Sequence, residues 1–134
     1  MNINLREDKT LNQDQVINLY KANRWSAGEK PKELIAALAN SDAVITAWHD
    51  DRLVGLGNAI SDGYLVVYYP HLLVHPEYQG AGVGQMIMQK FQEKYGGFHQ
   101  QILVANNHAV KFYRKCGFKR AYKTTPMWIC KGYS

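Results

Sequence analysis

Hydrophobic positions change period several times along this chain, and each change marks an element. Ile3 to Arg6 fits an edge strand, after which Leu11, Val16, Leu19 and Tyr20 fall on one stripe of a helix over 11–23. Thr10-x-x-Gln13 has the form of a capping box that would open it. Arg24 to Gly28 breaks the period in a linker expected to overlie a sheet, and Pro31 suits the first turn of a second helix carrying Leu34, Ile35 and Leu38. From Ala43 onward β-branched and aromatic residues predict strands over 43–49 and 52–60, joined at Asp50-Asp51 as a hairpin. Ser61-Asp62-Gly63 turns the chain into a long strand over 64–74, interrupted by Pro70, which cannot donate to a ladder. Val83, Met86, Ile87, Phe91 and Tyr95 restore the helical period. A strand at 100–105, a helix at 107–116 and strands at 117–122 and 126–131 complete the expected order β-α-α-β-β-β-α-β-α-β-β, an α/β chain with a mixed sheet and helices on both faces.

The junction between the long strand and the third helix, Leu72 to Gly84 (LLVHPEYQGAGVG), carries chemistry. An apolar strand runs into a glycine loop, and the loop opens an amphipathic helix. Gly80, Gly82 and Gly84 present no side chains to hold an anion off the backbone, and the first turn of the helix offers free N–H groups at its positive dipole end. A nucleoside triphosphate is excluded because Gln85-Met86 stand where a Walker loop needs Lys-Ser or Lys-Thr. A dinucleotide is excluded because the glycine expected at position 85 and the acid at the end of the next strand are both missing.

Read as Gln79-x-x-Gly82-x-Gly84 directly after Val74, the loop resembles the acetyl-CoA pyrophosphate loop of the GNAT superfamily of N-acetyltransferases, Gln/Arg-x-x-Gly-x-Gly/Ala. A second stretch resembles that superfamily's other cofactor motif: Asn106, Tyr113 seven residues later, and the ending Gly117-Phe118. The strand and loop are also similar to small bacterial GNAT proteins and to the plant serotonin acetyltransferase type. The resemblance implies that Leu72, Leu73 and Val74 run alongside the pantetheine arm of acetyl-CoA. It gives the pyrophosphate to the loop of Gln79, Gly80, Ala81, Gly82, Val83, Gly84 and Gln85. Asn106 would bond the pantetheine or cap a helix, and a β-bulge is expected near His71 to Leu73.

Acetyl transfer to an amine needs a proton donor for the departing thiolate and a way to deprotonate the amine. Tyr113 matches the family's usual general acid; the alternative is a core aromatic on the same helical face as Asn106. The expected acid on the strand is missing between Tyr64 and Val74, and Gln101 stands where relatives carry one on the following strand. His71 is then the candidate base, with a structural, hydrogen-bonded histidine as the alternative. Asp62, Tyr64 and Tyr68 are further candidates for a water relay. Trp25, Tyr68, Tyr69 and Trp128 are the candidate walls of an acceptor pocket suited to a small amine of apolar or ring character, and the likeness to the serotonin acetyltransferase type implies an aryl-alkyl amine or another small amine.

Composition changes this picture little. The chain has 134 residues and reads as one domain, with 46% hydrophobic and 20% charged residues. Cys116 and Cys130 fit neither a disulfide framework nor a zinc site, and no metal is expected. The net charge of +5 concentrates near the second motif, in Lys111, Arg114, Lys115, Lys119, Arg120 and Lys123. Such charge suits CoA, whereas the aromatic residues are not interleaved as a nucleic-acid platform. With no apolar run long enough to span a bilayer and no signal-peptide pattern, the sequence predicts a cytoplasmic monomer or homodimer without a membrane or nucleic-acid partner. Two other functions remain open at this point: an acetyl-CoA sensor that has lost catalysis, and an acetyltransferase for protein N-termini or lysines.

Overall fold

The computed structural model describes residues 2–131. Its strands are β1 (Asn4–Glu7), β2 (Ala43–His49), β3 (Arg52–Ser61), β4 (Val66–Tyr68), β5 (Leu72–Val74) and β6 (Gln100–Ile102). The helices are α1 (Gln13–Ala22), α2 (Pro31–Ala39), α3 (Val83–Tyr95) and α4 (Val110–Lys115). Strand order is β1-β2-β3-β4-β6, with β5 paired to β3 beside this path. All pairings are antiparallel except β4 with β6.

Period-two alternation divides the core. Val44, Trp48, Leu53, Leu56 and Leu73 face Val16, Leu19 and Tyr20 of α1 and Leu34 and Leu38 of α2. Ile45, Ala47, Val54, Ala59 and Val67 face Ile87, Met88, Phe91 and Tyr95 of α3. Strands covered on both sides read as continuous apolar runs, which is why Ala43–His49 shows no polar alternation.

Three local expectations need correction. The cap of α1 is Asn12, whose Oδ1 accepts from the Gln15 N–H at 3.0 Å. Thr10 instead donates its own N–H to Asp8. Residues 117–122 and 126–131 form no strand, and the long strand expected over 64–74 is divided into β4 and β5.

That division opens the molecule. On β3 two residues separate Gly57 from Ile60, while three, Tyr69, Pro70 and His71, separate their partners Leu72 and Tyr68. The extra residue is a bulge, slightly upstream of its expected position. Before it, β4 pairs with β6, and Tyr69 still donates to the Ile102 carbonyl at 3.0 Å. After it, β5 pairs with β3 alone, so its other edge faces a gap. Buried Asn58 holds the kink: its Oδ1 accepts from the His71 N–H at 3.0 Å and its Nδ2 donates to Ser41 Oγ at 3.1 Å. Replacing Asn58 with Leu leaves the His71 N–H without an acceptor and Ser41 with only its bond to the Ala37 carbonyl, and a urea titration is expected to register a loss of about 2–3 kcal/mol.

Candidate functional site

The gap beside β5 is the mouth of a cleft of about 540 Å³. Leu72, Leu73 and Val74 line it from the sheet, Gln79, Gly80, Gly82, Val83, Gly84 and Gln85 from the loop and α3, and Asn106, Phe112 and Tyr113 from the α4 side.

The loop is held from behind. His75 Nδ1 accepts from the Glu77 N–H, and Arg52 bonds Glu77 at 2.8 Å. Tyr78 Oη and His49 Nδ1 lie 2.7 Å apart, which clamps this turn to the β2–β3 hairpin. Gln79 Nε2 donates to the Val74 carbonyl at 3.0 Å, so its side chain braces the loop where the strand ends. Gly82, at φ 86, ends the loop and begins α3. The first turn of α3 has neither a side-chain cap nor an acidic residue. Its N–H groups therefore remain open to an anion at the positive end of a 13-residue helix.

Close approach joins the two motifs. A Cβ on Gly84 would stand 3.0 Å from the Phe112 ring, so glycine there lets α4 dock against the start of α3. At the end of α4, the Phe118 N–H reaches the Tyr113 carbonyl and the Gly117 N–H reaches that of Arg114, with Gly117 at φ 100. This is a Schellman ending. It turns Phe118 back to Tyr113, with ring centroids 6.0 Å apart.

Burial pushes the Tyr113 hydroxyl up to about 12, so the phenol keeps its proton throughout the neutral range. Asn106 makes no side-chain cap to the turn that it precedes, and its side chain lines the cleft. The half-buried Cys116 thiol is pushed up by burial and packs against the α3-side core, in keeping with a packing role.

His71 differs from its expected place. It does not line the cleft but lies behind Trp25, with ring centroids 5.0 Å apart, and its Nδ1 is 2.7 Å from the buried Tyr20 hydroxyl. Burial lowers its pKa to about 4 and holds Tyr20 well above the usual phenol range. A protonated phenol whose hydrogen-bond partner is Nδ1 donates to it, which leaves the imidazole proton on Nε2. The base role expected of His71 therefore lacks both access and an unprotonated free nitrogen. Its burial has another consequence. The unfolded histidine gains a proton below about pH 6.5 and the folded one only near 4. Stability present above pH 6.5 is then lost as pH falls toward 4, by about 3 kcal/mol in all. Urea titrations at the two ends of that interval should show the slope in wild type and its flattening in His71→Phe.

Other expected residues divide between the cleft and the surface. Trp25 and Tyr69 line the cleft, whereas Ala81 and Tyr68 do not, and Trp128 is 76% exposed away from it. Tyr64 is exposed, and Asp62 caps the β3–β4 turn by accepting from the N–H groups of Tyr64, Leu65 and Val66. Gln101, in the place of a relative's acid, accepts from the Tyr69 hydroxyl at 2.6 Å and pairs reciprocally with Gln92. No carboxylate lines the cleft among the described residues. Asn23, Pro70, Tyr78, Val104, His108, Ala109 and Phe112 line it without being among the expected site residues, and so does Lys115 from the basic cluster near the second motif. Tyr78 and His108 had a signal in their adjacency to the two motifs; Asn23 and Val104 had none.

The profile of the GNAT acetyltransferase domain matches residues 40–120, which hold the bulge, the loop and the Asn106–Tyr113 segment. The chain belongs to the GNAT acetyltransferase family. It is 30% identical to an uncharacterized N-acetyltransferase, ycf52, of Porphyra purpurea, over 84% of this chain and 71% of that protein. A GNAT-family acetyltransferase from Streptococcus pneumoniae TIGR4 superposes with a TM-score of 0.84 at 29% identity, covering 96% of this chain and 98% of that one. An aminoglycoside N-acetyltransferase solved in complex with CoA shares the fold, with a TM-score of 0.74 at 14% identity over 97% and 95% of the two chains. This GNAT protein is accordingly an N-acetyltransferase, and its family implies acetyl-CoA as the cosubstrate. No helix among its described residues is long and apolar enough to cross a membrane.

Proposed function

We propose that this GNAT protein moves the acetyl group of acetyl-CoA directly onto the primary amine of a small, aryl-alkyl type molecule in the cytoplasm. The observation that carries the proposal is one cleft lined by the loop, the open edge of β5, Tyr113, and the aromatic pair Trp25 and Tyr69. Gly80, Gly82 and the start of α3 would hold the pyrophosphate, β5 and Asn106 the pantetheine arm, and Tyr113 would protonate the departing thiolate. In the absence of a lining carboxylate, the ammonium of the acceptor loses one proton to water in the cleft before attack; a second leaves the nitrogen as the tetrahedral intermediate collapses and returns through water to Tyr113. His71 and Tyr20 act from behind by fixing Trp25, against which the ring of the acceptor packs.

Substrate class is tested by comparing kcat/KM for aryl-alkyl amines, linear aliphatic amines and peptides with free N-termini or lysines. The aryl-alkyl amines should be used best, and Trp25→Ala should raise their KM about tenfold while leaving linear amines nearly unchanged. Higher kcat/KM with peptides would reject the small-molecule assignment. Tight acetyl-CoA binding without turnover of any acceptor would favour a sensor instead.

A further inference from the structure

A Schellman turn ends α1 and delivers Trp25 to the cleft. The Trp25 N–H reaches the Tyr20 carbonyl at 3.1 Å and the Arg24 N–H reaches that of Lys21 at 3.0 Å, with Asn23 as the capping residue. Arg24 takes φ 59, at the position that such turns usually give to glycine. The turn folds the Trp25 ring back on Tyr20, with centroids 5.9 Å apart, and so sets it against His71 as well.

Asn23 closes the helix with one end of its side chain and reaches the cofactor loop with the other. Its Nδ2 donates to the Leu19 carbonyl at 3.0 Å, one of the carbonyls that the end of α1 leaves without a backbone partner. Its Oδ1 accepts from Gln79 Nε2 at 3.4 Å. The same Gln79 nitrogen has a second hydrogen, which goes to the Val74 carbonyl at 3.0 Å. Among the described residues this is the one hydrogen bond between the linker 23–30 and the loop 75–82, and both of its side chains line the cleft. A continuous chain therefore runs from Trp25 through two side-chain amides to the last carbonyl of β5.

We propose that Asn23 is a positioning residue for the acceptor: through Gln79 it holds Trp25 at a set distance from the open edge of β5 and so fixes the width of the acceptor site. The inference rests on the reading of Trp25 as the wall against which the ring of the acceptor packs. Without the Asn23 oxygen the linker loses its tie to the loop, and the acceptor itself must order the Trp25 ring, at a cost in affinity. Turnover of the bound complex is spared, because no proton passes through Asn23.

Steady-state kinetics with phenylethylamine as the probe and hexylamine as the linear control test the assignment. Asn23→Ala should raise the phenylethylamine KM about fivefold, with kcat and the hexylamine KM within about twofold of wild type. Asn23→Asp separates the two ends of the side chain. It keeps an oxygen for Gln79 and loses the donor to Leu19, so the thermal midpoint should fall while KM stays within about twofold of wild type. Gln79→Met removes the donor from the loop side and should raise the same KM, and combining it with Asn23→Ala should add little to either change alone. An unchanged KM in Asn23→Ala, a KM that rises as much in Asn23→Asp as in Asn23→Ala, or effects of Asn23→Ala and Gln79→Met that simply multiply would each overturn the assignment and leave Asn23 a helix cap. Failure of the acceptor reading has its own signature: Trp25→Ala would then leave the phenylethylamine KM unchanged, and the role of Asn23 would fall with it.

Discussion

Tyr113→Phe is expected to lower kcat about 100- to 1,000-fold while leaving the affinity for acetyl-CoA within about twofold. The substitution removes one oxygen and keeps the ring, so the packing of Phe112, Tyr113 and Phe118 that closes α4 survives. What disappears, on the proposed role of Tyr113, is the proton for the thiolate as it leaves. Burial is the reason this phenol holds that proton so firmly: with its pKa pushed up to about 12, it is fully protonated at every pH at which the fold would be assayed. The wild-type rate should therefore show no alkaline limb from Tyr113 below pH 10, and the limb on the acid side should follow the pKa of the acceptor amine. Steady-state rates across pH, paired with direct binding of acetyl-CoA, separate these effects. An equal loss of binding and turnover would mean that Tyr113 supports the cofactor and donates no proton.

The second large effect is expected at Gly82. Its φ of 86 is a left-handed conformation that costs an L-residue about 1–2 kcal/mol and a β-branched one more, yet a Cβ there would meet no atom within 4 Å. The strain is thus in the backbone, and the added side chain would stand on the lining of the cleft, where the proposed function puts the pyrophosphate. Gly82→Val should weaken acetyl-CoA binding about tenfold or more, and the thermal midpoint should fall by several degrees. Gly97 supplies the control. It also has open space at its Cβ position but no left-handed φ, and Gly97→Ala should leave acetyl-CoA affinity unchanged. Isothermal titration on the three proteins decides the matter, and unaltered affinity in Gly82→Val would remove the loop as the pyrophosphate site.

Much of the fold could be read from the chain because its signals are local. The apolar stripes of α1 and α3, the Asp50 turn and the strand-loop-helix junction depend on residues within a few positions of one another. Asp50 takes φ 53 at that turn, a conformation its short polar side chain tolerates. The bulge was legible in outline from Pro70, but its hold by Asn58, 13 residues away on a neighbouring strand, carried no sequence signature. His71 shows the limit of reading chemistry from residue type. Its place on the strand beside the loop suggested a base, whereas the partner that fixes its proton, Tyr20, is 51 residues away on α1. The missing acid has a similar explanation: Gln101 is absorbed into a pair with Gln92 and the Tyr69 hydroxyl, a neutral network in place of a carboxylate. The C-terminal residues have strand composition and form no strand, because β-propensity takes effect only where side chains pack against neighbours, and residues 121–131 are exposed.

The central claim, direct acetyl transfer in the cleft between β5 and α4, is tested most directly by following free thiol and acetylated amine together. With acetyl-CoA and an aryl-alkyl amine, the two products should appear in equal amounts, and neither should accumulate without the amine. Thiol release that is independent of the amine, or acetyl-CoA that binds and is never consumed with any acceptor, would contradict it.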